Sequence, residues 1–153
     1  MNSQSVILQT KLFPPPATEG YILRNHLIKK LELGRRKPLT LVSAPAGYGK
    51  SSLVSYWLEK VSTPASWLSL DAEDNNLHTF VAYVVHSIQA SIPTFGIDIL
   101  QILRSPEPTT ARTIFTHFIN ALAQVDQAMI VVLDDYHLIN KPEIHEMVET
   151  LLR

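Results

Sequence analysis

"SAPAGYGKSS", residues 43–52, comes within one residue of spelling a phosphate-binding loop. That pattern (Walker A) is Gly, four residues, Gly, Lys, then Ser or Thr. Counting back from Lys50, Ala44 stands where the first glycine belongs. The relaxed pattern that admits alanine arises by accident in about 1 in 100 chains of this length, so its surroundings must decide. "LTLVSA" (39–44) is rich in strand formers and runs straight into the loop. Leu53, Val54, Trp57 and Leu58 then mark one face of a helix. Strand, loop and helix are the order the mechanism requires.

Each residue of the loop has a physical task. Gly47 and Gly49 can adopt backbone angles closed to other residues, and they let amides approach phosphate oxygens with no side chain between. The main-chain nitrogens of Ala46, Gly47, Tyr48 and Gly49, followed by those of Lys50, Ser51 and Ser52, are expected to form a cup at a helix N-terminus, where the dipole favours an anion. Lys50 is expected to bridge the β- and γ-phosphates, Ser51 to ligate Mg²⁺ through its hydroxyl, and Ser52 to contact the α-phosphate. Ala44 need only end the strand with a small side chain, because Pro45 fixes the turn that glycine would otherwise permit. The plain alternative is a glycine-rich turn carrying an exposed lysine.

A phosphate loop wants a magnesium partner at the end of a buried strand. "AMIVVLDD" (128–135) supplies one, and its unbroken apolar run predicts a strand of a parallel sheet buried on both faces. Asp134 is the expected Mg²⁺ ligand, through a water, and Asp135 the group that polarises an attacking water. With Lys50, Asp135 completes the catalytic candidates. The alternative is a pair of aspartates ending a strand in solvent. His137 lines the site or caps a loop. The other five histidines lack metal-ligand spacing and read as surface or partly buried residues.

The rest of the chain alternates in the same way. Residues 1–20 read as an extended lead-in around Pro14, Pro15 and Pro16, and 21–153 as the domain. Leu23, Leu27 and Leu31 predict a short helix stopped by Gly34. "ASWLSLD" (65–71) predicts a strand. Leu77, Phe80, Val81, Val84, Val85 and Ile88 form a helical stripe, with Asp74, Asn75 or Asn76 as N-cap. Residues 92–109, with three prolines and a glycine, read as a loop or partly irregular segment. Helices follow around Ile114–Leu122, capped by Thr109 or Thr110, and around Ile144–Leu152, with Pro142 near the start. The fold class is α/β with right-handed crossovers.

Composition sets outer bounds. The chain has 153 residues, 46% hydrophobic and 18% charged, enough for one domain with a buried core. A net charge of −1 gives no global reason to bind nucleic acid or an anionic membrane. With no cysteine, disulfides and thiolate metal sites are excluded. No apolar run is long enough to span a bilayer, and a soluble, cytoplasmic domain is expected.

"LQTKLFPPP", "RNHL", "LTLVSAPAGYGKSSLVSYWL", "WLSLDAEDNNLHTFVAYVVHSI" and "IVVLDDYHLI" occur in the order seen at the N-terminus of MalT-like transcriptional regulators. The chain resembles these LuxR-family members of the signal-transduction ATPases with numerous domains over almost its whole length. The resemblance implies a P-loop NTPase-type three-layer sandwich with a parallel sheet, truncated here before the sensor strand. It implies an ATP-binding switch, with slow hydrolysis that relies on segments beyond Arg153, and with DNA bound only by a C-terminal helix-turn-helix absent from this chain. Arg24 matches the arginine ahead of the family's phosphate loop, although Leu23 and Asn25 flank it where the wider class has Gly and Glu. In the implied fold a missing strand separates 39–44 from 130–134. The two are therefore expected either to pair directly or to leave sheet edges open for self-association. Readings from other classes are a small P-loop kinase, which would want an arginine-bearing lid, and an interaction module with a vestigial nucleotide site.

Overall fold

A computed structural model of the chain describes residues 6–16 and 22–153. It is a mixed helix and strand structure with a parallel two-stranded sheet. In chain order the elements are α1 (Asn25–Gly34), α2 (Lys50–Lys60), β1 (Ala65–Ser69), α3 (Leu77–Gln89), α4 (Ile97–Arg104), α5 (Ala111–Ala123), β2 (Ile130–Asp134) and α6 (Pro142–Leu151). Single turns of 3-10 helix occur at Gln9–Leu12, Ala72–Asp74 and Tyr136–Leu138. The described residues form two compact units: 6–13 with 63–151, and 14–16 with 22–62, the last two residues aside.

In the larger unit β1 and β2 pair in parallel, from Ala65 opposite Ile130 to Ser69 opposite Asp134. The ladder is extended at both ends, by Ile130 N donating to the Pro64 carbonyl (2.9 Å) and Leu70 N to the Asp134 carbonyl (3.0 Å). Every residue of the expected α3 stripe is buried, and Asn76 is its N-cap, accepting from Thr79 N at 3.1 Å. Ile114 and Phe118 of α5 and Ile144 and Met147 of α6 close the same core. Thr110 caps α5 by accepting from Thr113 N at 3.2 Å. Pro142 opens α6, where its missing N–H costs nothing. The smaller unit packs α1 against α2, with Leu31, Leu53 and Trp57 buried and the Trp57 indole donating to Glu32 at 3.0 Å.

Four expectations need correction. Residues 39–44 form no strand: Leu39 and Leu41 are 59% and 82% exposed, and no ladder takes up their backbone. A strand exists through its neighbour's hydrogen bonds, whatever its propensity. For the same reason 39–44 does not pair directly with 130–134, since the ladder joins β1 to β2. Nor is β2 buried on both faces, Val131 being 39% exposed and the other four residues half-buried. Finally, the segment 92–109 contains α4. Gly96 opens it at φ +65°, and Ile99 and Leu100 turn into the core.

The lead-in packs at its first described part. Its turn at Gln9–Leu12 buries Lys11 and Leu12 in the larger unit. Residues 1–5 and 17–20 of the expected lead-in lie outside the described residues. No helix among the described residues is long and apolar enough to cross a membrane.

Candidate functional site

The loop at 43–49 and the start of α2 are shaped by the two glycines in the expected way. Gly47 lies at φ +87° and Gly49 at φ +74°, angles that L side chains rarely adopt. The turn is closed by Tyr48 N donating to the Pro45 carbonyl at 3.4 Å. Nothing lies within 4 Å of where a Cβ on Gly47 would stand, so the backbone there faces open space. Gly49 is the N-cap of α2, and no side chain caps the helix, which leaves the positive end of the dipole to another acceptor. Lys50 is the first helical residue, and its ammonium reaches back across the loop to the Ala44 carbonyl.

Arg24 meets this loop. Its guanidinium donates to the Tyr48 carbonyl at 2.8 Å, and its Nη2 lies 2.8 Å from where a Cβ on Gly49 would stand. Gly49 is therefore required by its backbone angle, while the end of the flexible arginine side chain could shift to make room. Arg24, Ala46, Gly47, Tyr48, Gly49, Lys50, Ser51 and Ser52 are brought together within the smaller unit. Two cationic side chains and the helix N-terminus thus gather at one exposed loop, an arrangement suited to a phosphate group.

Asp134 and Asp135 lie in the larger unit. Asp134 is the last residue of β2, and its Oδ1 accepts from Asp135 N at 3.0 Å. Asp135 has φ +60°, the one positive φ among the described non-glycine residues. Aspartate tolerates this left-handed conformation better than most residues. The twist turns the chain out of the strand into the turn Tyr136–Leu138, and Asp135 is exposed. His137 is exposed as well, and His26, His78, His86, His117 and His145 are exposed or half-buried, as expected. Among the described residues no three His, Asp or Glu side chains gather as a metal-holding cluster.

Sequence reasoning missed a charged cluster at the start of the chain. The Lys11 ammonium pairs with Asp74, which is 0% exposed, and with Asp71 at 3.1 Å, and lies 4.3 Å from the centre of the Tyr83 ring. Burial works to lower the Lys11 pKa, but the hydrogen bonds and charges of Asp74 and Asp71 outweigh it and hold it above the ordinary lysine value. Asp71 moves the other way: burial raises it, and Lys11 with the Glu73 amide holds it below the usual carboxylate range. A lysine directly before the apolar pair Leu12 and Phe13 was the only local signal on offer.

No protein-family model matches the chain. HTH-type transcriptional regulator MalT of Klebsiella pneumoniae, in two strains, is 30% identical over 148 residues. MalT of Cronobacter sakazakii is 31% identical over the same length. The chain is similar to a segment of MalT. In each pairing 97% of this chain is covered but only 16% of MalT, so the chain spans about one sixth of the length of these relatives.

Proposed function

We propose that the chain is the ATP-binding switch part of a MalT-like transcriptional regulator, built on a P-loop NTPase-type α/β sandwich. The observation that carries this reading is the loop itself. Two left-handed glycines, an uncapped helix start, Lys50 and Arg24 are assembled at 43–52, as phosphate capture requires. Similarity to part of a transcriptional regulator supplies the context.

In this reading the amides from Ala46 to Ser52 bind the phosphates. Lys50 exchanges its bond to the Ala44 carbonyl for the β- and γ-phosphates. Arg24 steadies the loop through Tyr48. Ser51 and Asp134 offer the hard oxygen ligands that suit magnesium, which would neutralise phosphate charge when bound. The magnesium roles, and that of Asp135 in orienting a water, rest on the sequence pattern. Bound nucleotide stabilises one conformation by its differential affinity and so acts as a signal, with ATP and ADP as the two inputs. Recognition of DNA belongs to a helix-turn-helix outside this chain.

Calorimetric titration of the chain with Mg-ATP tests the reading. Saturable binding that is lost in Lys50→Ala, with folding retained, supports it. Absence of binding by the folded wild-type chain would favour a vestigial site, and transfer of phosphate to a small acceptor would favour a kinase.

A further inference from the structure

A pocket of about 360 Å³ opens in the larger unit beside α3, and neither a loop residue nor Asp134 lines it. Its walls are one flank of α3, the end of α4 and the N-terminal segment at 6–11. That volume is at the small end of the range for ligand sites. The two ends differ in charge. Toward the start of α3 stand Asp71, Glu73 and Asp74, with the Lys11 ammonium already committed to two of them. Toward the end of α3 stand His86 and, from the last turn of α4, Arg104. His78 and His86 are eight residues apart on the same flank, about 12 Å along the helix.

The basic end lacks a counter-ion. Among the described residues Arg104 makes no ion pair, and the His86 ring is met by the neutral Gln89 side chain. The carboxylates that line the pocket are on the 71–74 turn before α3. The Arg104 guanidinium and the titratable His86 ring thus line one pocket with the apolar side chains of Ala82, Leu100 and Leu103.

We propose that the His86–Arg104 end of this pocket binds a small anion through a phosphate or carboxylate group. Burial first, and then the Arg104 charge, hold His86 below its ordinary value, against a smaller opposing effect of Gln89. An anion bound beside Arg104 offsets the guanidinium charge and draws a proton onto the His86 ring. Binding therefore strengthens as pH falls through the His86 range. Asp71 and Glu73 at the far end disfavour a ligand that is anionic along its whole length, so the ligand carries hydroxyl or ammonium donors there.

The test is a proton NMR titration of the histidine ring signals of the chain at constant ionic strength, in chloride, inorganic phosphate or acetate. In phosphate or acetate the apparent pKa of His86 is expected to rise by about half a unit or more, and Arg104→Gln, at an exposed position, is expected to abolish the rise. A response to phosphate alone assigns a phosphate ligand, and a response to both admits a carboxylate. Lys50→Ala, which removes the loop cation, leaves the rise intact. The proposal is overturned if neither anion moves His86 in the folded chain, if Arg104→Gln leaves the rise unchanged, or if Lys50→Ala abolishes it.

Discussion

At Gly96 and Lys11 single residues decide the packing of the larger unit. Gly96 sits at φ +65°, and a Cβ there would come within 2.8 Å of Val85 Cγ1 and 3.2 Å of its Cγ2. Gly96→Ala is expected to destabilise the fold by about 1–3 kcal/mol, the usual cost of a strained backbone position, as read by urea denaturation. Lys11 matters for a different reason. Removing one partner of a buried ion pair strands the other, and Lys11→Met would leave Asp74 charged in the core. Its expected cost is about 3–5 kcal/mol. Lys11→Met with Asp74→Asn is expected to recover a large part of that loss. If the single and double variants melt alike, the stranded Asp74 carboxyl is not the source of the loss.

Among the elements, the turn Gln9–Leu12 and the turn Ala72–Asp74 are tied by the Lys11–Asp71–Asp74 cluster, and pH reads that tie directly. The Lys11 pKa is raised from 10.5, so its contribution is present below that value and disappears as pH climbs through the folded pKa. The Asp71 pKa is lowered from 3.8, so its contribution is present above that value and disappears as pH falls through the folded one. Stability is expected to be flat between these limits with respect to this cluster, and Lys11→Met should remove the alkaline fall. An alkaline fall that persists in the variant would show that other groups cause it.

The same scale shows what the sequence disclosed. The α3 stripe and β1 were legible, and the caps were narrowed to Asp74, Asn75 or Asn76 and to Thr109 or Thr110, because amphipathic period and cap chemistry are local. α4 was hidden by Pro93, Gly96, Pro106 and Pro108, although Gly96 is what lets that helix begin. The strand expected at 39–44 failed because pairing is supplied by a neighbour, which no local pattern records. The loop residues 44–52 were legible as a group, and Arg24 entered only through the family resemblance. The Lys11 cluster depends on contacts 60 and 63 residues away in sequence, beyond any local reading.

Across the whole molecule, the open question of assembly lies with the sheet. Among the described residues β2 pairs with β1 only, and Val131 is exposed on it. An unpaired strand edge invites another chain, so concentration-dependent self-association is proposed, with Val131→Lys reducing it in sedimentation velocity. A wild-type chain that stays monomeric while its strand amides are fully protected from exchange would contradict this.

The loop at 43–52 carries the functional reading, and amide hydrogen exchange with and without Mg-ATP tests it most directly. Added nucleotide is expected to slow exchange at Gly47, Tyr48, Gly49, Lys50, Ser51 and Ser52, and Lys50→Ala is expected to abolish the effect. Unchanged exchange at those six amides, in a chain whose α3 amides remain protected, would contradict phosphate capture by this loop.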